Sequence, residues 1–207
     1  QGRRLVQRAQ RLLGARGPCR RGTQATVAFA LGAVGLRGRV SDGFALPARR
    51  ITLSTVGLLP QLEQLAREPL MPNLAISLHA PTDVQRGELV PINRKWGIAE
   101  IIAACKRFPL KKRSRITFEY VLLAGVNDRP EDARKLARLL EGVKAKVNVI
   151  PLNAAAGIPF DRPSDAAIDQ FAKIVAEHDV TVSVRKSRGR DIRAACGQLI
   201  VEGQKKS

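Results

Sequence analysis

From Ile51 onward, short runs of β-branched and other apolar residues alternate with stretches whose apolar positions recur at helical spacing. No other feature limits the fold as tightly. A strand, an amphipathic helix and a second strand cannot close as a hairpin, so the two strands must run parallel with the helix as the crossover. ITLST (51–55), NLAISLH (73–79), RITFEYVLL (115–123), KVNVIP (146–151) and VTVSVR (180–185) read as five strands. Helices are expected over 58–67, briefly after the turn at 80–82, and over 98–108 beyond the irregular VPINRKWG. Another is expected with Pro130 in its first turn, capped by Asn127 or Asp128. A further helix, capped by Ser164, places Ile168, Phe171, Ile174 and Val175 on one face, and a short helical segment is expected over 192–199. The fold class is therefore α/β, either an open doubly wound sheet or an arc of a barrel. Five strands cannot close an eight-stranded barrel, so a partial (β/α) barrel with about five parallel strands fits better.

Charge divides the chain differently. Of 36 Lys and Arg, eleven fall in residues 1–50, all of them Arg, against the single acid Asp42. That segment is rich in Arg, Gly and Ala and lacks the alternation of a strand or helix. Two readings compete for it: a basic arm for RNA or lipid headgroups, or out-of-frame translation of a GC-rich gene. The second is favoured, because basic arms usually mix Lys with Arg. The formal net charge of +18 points to a polyanionic partner, nucleic acid first. No apolar run approaches the roughly 20 residues of a membrane helix, and the basic start is not followed by the apolar stretch of a signal peptide. Three widely spaced cysteines, Cys19, Cys105 and Cys196, do not make a disulfide framework, so a cytoplasmic location is expected.

Polar residues gather at the carboxyl ends of the strands: Ser54 and Thr55, then Ser77 and His79, then Asn153, then Arg185, Ser187 and Arg188. In parallel α/β folds ligands bind along that rim. Glu119, between Phe118 and Tyr120, is expected to point to the inner face of the third strand. Taken singly, Ser54 or Thr55 is more often a hydroxyl bonded to backbone, and His79 a packed imidazole. Four strand ends that agree on one rim outweigh those readings, but they name a rim and not a reaction.

Six segments carry more. ARRITLSTVG (48–57), LAISLHAP (74–81), LVPINRKW (89–96), TFEYVLLAGVND (117–128), VNVIPLN (147–153) and VRKSRGRDIRAACGQL (184–199) occur in an order and spacing that resemble the radical-SAM adenine-C2 methyltransferases of ribosomal and transfer RNA, the RlmN family. The resemblance covers residues 43–200 and corresponds to the C-terminal part of the family's catalytic domain. It leaves 1–42 as a non-matching Arg-rich segment and 201–207 as a polar tail. It implies a radical-SAM barrel that binds S-adenosylmethionine through Ser54, through Ser77, Leu78 and His79, and through Asn153. It also implies that Cys196 is the cysteine that is methylated and carries the one-carbon unit to the base. Adenine C2 is electron-poor and unactivated, so ordinary nucleophilic methyl transfer cannot reach it, and the cofactor must supply radical chemistry. Ribosomal RNA and transfer RNA are the implied substrates, with a reductant protein as partner, no membrane, and a monomeric chain. Without the resemblance, Cys196 would be read as a buried structural thiol, as Cys105 is. Arg185, Lys186, Arg188 and Arg190 suit phosphate contacts or a solvated face, and Lys111, Lys112, Arg113 and Arg115 are expected at the surface.

The departures bear on activity. The family holds a 4Fe-4S cluster with three cysteines spaced C-x-x-x-C-x-x-C upstream of the matched region, and this chain has no such spacing. The upstream Gly-Glu-Pro segment, the general-base glutamate and the resolving cysteine are also unmatched; ALGAVGLRG (30–38) stands near the Gly-Glu-Pro position and has no acid. Ala154–Ala156 replaces a proline-containing loop, and Arg193 replaces an Asp. The chain as written is expected to be an inactive fragment of such an enzyme. The alternatives are a degenerate paralogue that binds RNA or cofactor, a relative that methylates adenine C8, or an unrelated β/α enzyme for a phosphorylated metabolite. The last would need a Gly-rich phosphate loop, for which Gly157 and Gly189 are weak support.

Overall fold

Along each strand from Ile51 on, one set of alternate residues is apolar and buried, or partly buried on the last strand, and the other set is mostly polar; this two-faced pattern organises the molecule. The computed structural model describes residues 25–28, 51–68, 71–153 and 158–185. Six strands, β1 (Ala25–Ala28), β2 (Ile51–Thr55), β3 (Asn73–Ser77), β4 (Ile116–Leu122), β5 (Ala145–Pro151) and β6 (Thr181–Val184), form one sheet in that spatial order. Every neighbouring pair is parallel. The helices between them are α1 (Leu59–Ala66), α2 (Asp83–Leu89), α3 (Ile98–Arg107), α4 (Pro130–Leu139) and α5 (Asp165–Ala176), with a 3-10 turn at Pro91–Arg94.

The apolar face of the sheet carries Leu53, Leu74, Ile76, Phe118, Tyr120, Val147 and Val149. Against it pack Leu62 and Leu65 of α1, Ile101 and Cys105 of α3, Leu136 of α4, and Phe171 and Val175 of α5, in one continuous core. The Tyr120 and Phe171 rings meet with centroids 5.1 Å apart. The opposite face presents Thr52 and Ser54, Asn73, Ala75 and Ser77, Thr117 and Glu119, Lys146 and Asn148, and Thr181 and Ser183, as the strict alternation of side chains in a strand requires. A smaller apolar cluster, with Ala80, Leu89, Val90, Val121 and Leu123, closes the carboxyl end of β3 and β4.

The five strands and the helices expected within the described residues are present, and Ser164 caps α5 by accepting from the Ala167 amide at 3.2 Å. Two differences stand out. The strand β1 lies in the Arg-rich start, where the sequence offers no strand signal; four residues are too few to establish a period of two. It pairs with β2 from Ala25↔Ile51 to Ala28↔Ser54. Secondly, α4 begins after Arg129, with Pro130 in its first turn but no side-chain cap. Asn127 is fully buried and used elsewhere, and Asp128 Oδ1 accepts from the Gly125 amide at 2.8 Å within the turn. The expected segment 192–199, Cys196 and the basic residues from Lys186 to Arg190 lie outside the described residues. Among the described residues no helix is long and apolar enough to cross a membrane.

Candidate functional site

The site begins where β3 stops short of β4. The β3–β4 ladder ends at Ser77↔Glu119, although β4 continues to Leu122. In a parallel ladder alternate residues turn both backbone groups toward the same neighbour, so past Glu119 the groups of Val121 face a missing strand. Side chains replace it. The Val121 amide donates to His79 Nδ1 at 3.2 Å, and Asn127 Nδ2 donates to the Val121 carbonyl at 2.8 Å. Asn127 Nδ2 also reaches the His79 carbonyl at 2.7 Å, and Asn127 Oδ1 accepts from the Leu123 amide at 2.8 Å. Because Nδ1 accepts, a neutral His79 ring carries its proton on Nε2. His79 is buried and holds φ at 62°, a left-handed conformation that residues other than glycine adopt rarely and at a cost.

On the polar face a carboxylate joins two strands. Glu119, 7% exposed, accepts on Oε2 from Ser54 Oγ at 3.3 Å and from Ser77 Oγ at 3.4 Å. Register explains the reach. Ser77, Glu119, Asn148 and Ser183 lie level on four adjacent strands, and Ser183 Oγ donates to Asn148 Oδ1 at 3.2 Å. Ser54 is paired with Ala75, whose methyl leaves room for the hydroxyl to cross β3 toward β4.

Beneath this rim the Arg86 guanidinium is fully buried. It donates through Nη2 to the carbonyls of Val56 (2.6 Å) and Ser77 (3.1 Å), through Nε to Leu78 O (3.1 Å), and through Nη1 to Asn93 Oδ1 (2.8 Å). Asn93 is held by the Asp83 carboxylate at 2.9 Å, and Asp83 Oδ1 also caps α3 by accepting from the Ile98 amide at 2.8 Å. Burial lowers the Arg86 pKa to about 10, and the nearby Asp83 opposes that shift. One cation thus fixes the segment after β2 to the segment after β3.

Of the residues singled out from sequence, Ser54 and Ser77 meet at Glu119, and His79 stands at the end of the same strand. Leu78 does not offer its side chain: it is packed in the core, its amide donates to Glu119 O at 3.0 Å, and its carbonyl is held by Arg86. Thr55 Oγ1 accepts from the Gly57 amide at 3.2 Å, which is the local backbone role expected of such a hydroxyl. Asn153 follows β5 on the same rim, half-buried. Sequence reasoning missed Arg86, Asn93 and Asp83 altogether. A signal existed: Arg86 lies three residues before buried Leu89, hence on the inward face of α2.

A scan against protein-family models finds no match. Among curated proteins the chain is 51% identical over 162 residues to the dual-specificity RNA methyltransferase RlmN of Anaeromyxobacter dehalogenans, covering 78% of this chain and 43% of that protein. It is 51% identical over 158 residues to the protein of the same name from Geobacter sulfurreducens, covering 76% and 44%. Among solved structures, a radical SAM methyltransferase from Sphaerobacter thermophilus superposes with a TM-score of 0.71 at 51% identity, over 76% of this chain and 46% of that one. The chain belongs to the RlmN family. It spans less than half the length of the RlmN relatives it matches. A domain of a pyruvate-formate lyase-activating enzyme from Bacteroides vulgatus shares the fold alone, with a TM-score of 0.52 at 13% identity.

The family implies two groups, and the described residues fit one of them. The level row of hydroxyls, carboxylate and amide on the polar face suits a ligand such as S-adenosylmethionine, with its many small polar groups. A 4Fe-4S cluster does not fit. Among the described residues no three His, Cys, Asp or Glu converge to hold a metal, and Cys105 is buried on the helix-covered face, where desolvation pushes its thiol from 9.0 up to about 12.

Proposed function

We propose that this chain forms the cofactor-facing wall of an RNA methyltransferase that acts on adenine C2 in ribosomal and transfer RNA. The observation that carries the reading is the polar cluster of Ser54, Ser77 and Glu119 at the strand ends, in a chain about half identical to proteins named dual-specificity RNA methyltransferases. Bound S-adenosylmethionine supplies the methyl group and the radical. Ser54, Ser77, His79 and Asn153 orient it, while the backbone of Leu78 holds the strand end that carries them. Cys196 is the methyl-accepting sulfur. The wall belongs to the C-terminal part of the catalytic domain, over 43–200, with β1 of the segment 1–42 added at its edge and 201–207 outside it. The enzyme is cytoplasmic and monomeric, and takes its electrons from a reductant protein.

The chain has no cysteine spacing for the cluster, so on its own it binds the cofactor without cleaving it. That same observation favours a second reading, a degenerate paralogue that keeps RNA binding alone. Calorimetric titration with S-adenosylmethionine separates them. We expect saturable binding, weakened about tenfold by Ser77→Ala, and no 5′-deoxyadenosine when dithionite is added. Binding of structured RNA with no cofactor heat would favour the paralogue. In a full-length version that carries the cluster cysteines, Cys196→Ala should abolish methylation and leave the cofactor heat unchanged; retained turnover would remove Cys196 from its role.

A further inference from the structure

We propose that Glu119 is a positioning residue that fixes Ser54 and Ser77 as hydrogen-bond acceptors toward the ligand, so that this part of the site selects a donor group. The inference rests on the cofactor-site reading above and deepens it. A carboxylate has no proton to give, so the approaches of 3.3 and 3.4 Å to Oε2 are bonds only if both serines donate. Each hydroxyl has one proton, and Glu119 takes both. What remains on each serine oxygen is lone pairs, and whatever docks there must bring N–H or O–H. The three side chains come from three adjacent strands, so their orientation is set by register and not by a mobile loop. Ser77 and Glu119 are both buried, which shields the arrangement from competing water.

S-adenosylmethionine carries donors of two kinds, its ammonium and its ribose hydroxyls, and the geometry asks for a donor without naming which. Glu119→Gln is the informative change. Because both serines share Oε2, an amide nitrogen in that place keeps the shape but gives both serines a donor in place of an acceptor, turning their protons toward the ligand.

The test is a titration of the chain with S-adenosylmethionine and with two analogues of S-adenosylhomocysteine, one 2′-deoxy and one N-acetylated. The wild-type chain should bind one analogue about tenfold more weakly than S-adenosylhomocysteine, which identifies the donor. Glu119→Gln should melt within a few degrees of wild type, bind S-adenosylmethionine about tenfold more weakly, and lose that discrimination. Ser77→Ala combined with Glu119→Gln should cost no more than Glu119→Gln alone, because both remove one arrangement. A merely structural carboxylate would not alter which analogue is preferred. Folded Glu119→Gln and Glu119→Leu variants that both keep the affinity and preference would overturn the assignment, because leucine leaves neither serine an acceptor, as would additive losses in the double variant. Absence of binding by the wild-type chain would overturn the cofactor-site reading and this role together, and so is distinct from a failure confined to Glu119.

Discussion

Four acceptors converge on the buried Arg86 guanidinium, and no other described side chain donates to the backbone after both β2 and β3. Truncation would leave three carbonyls and Asn93 Oδ1 short of a donor, each costing on the order of 1–3 kcal/mol if water does not reach it. Arg86→Ala should therefore destabilise the chain by at least about 3 kcal/mol in urea unfolding. Arg86→Lys should recover less than half of that loss, since an ammonium is a single point and cannot span Val56 O and Asn93 Oδ1 as a planar fork does. A lysine variant as stable as wild type would show that charge, and not the fork, holds the rim. Sequence does not mark the partners. Composition treats an Arg in a polar helix as solvated, and only its i+3 relation to Leu89 argues otherwise. Ser54 and Ser77 were legible because strand periodicity and the rim rule apply to them directly. Their meeting at Glu119 was not, because it depends on the register between β2, β3 and β4.

At the scale of elements, the unequal lengths of β3 and β4 create the site. Seven residue pairs join β4 to β5, but only three join β3 to β4. The exposed stretch of β4 is then completed by His79 and Asn127. Asn127→Ala should speed exchange of the Leu123 amide, whose acceptor is lost. Asn127→Asp should keep Leu123 protected, yet cost more stability than Ala, because an acceptor would face the carbonyls of His79 and Val121. Hydrogen exchange at Leu123, together with urea midpoints, checks both statements; equal exchange in the two variants would contradict the pairing. Local rules placed Asn127 as a helix cap because Asn is a common N-cap and Pro130 suits the first turn that follows. A tertiary demand, from the Val121 carbonyl on β4 and the Leu123 amide just past it, competes for the same side chain and wins.

For the molecule as a whole, the dry helix-covered face governs how stability responds to alkali. Burial raises the Cys105 thiol from 9.0 to about 12, so its neutral form contributes fully below pH 9 and the contribution fades as pH rises toward 12. Tyr120 is also pushed upward, by burial and then by Asp132 and Asp128, and adds the same sign above pH 10. Arg86 has the opposite sign: its pKa falls from 12.5 to about 10, so the fold regains stability between those values. The window from pH 9 to 10 therefore belongs to Cys105. Unfolding free energy should drop there by about 1 kcal/mol. Cys105→Ala should lower stability at pH 8 but flatten that slope; a slope that persists in the variant would place its origin elsewhere.

The sheet has one further property. Its strands stand side by side in the order in which the chain makes them. No strand is inserted between two that already pair, so the layer can grow from either edge by accretion, and a cut at any of the three inner crossovers, from β2–β3 to β4–β5, divides it into two blocks, each internally paired. For a protein of this lineage, gaining, losing or exchanging a strand–helix unit at the margin requires no rethreading of the centre. The Ser54, Ser77 and Glu119 cluster on β2 to β4 would keep its register through such events.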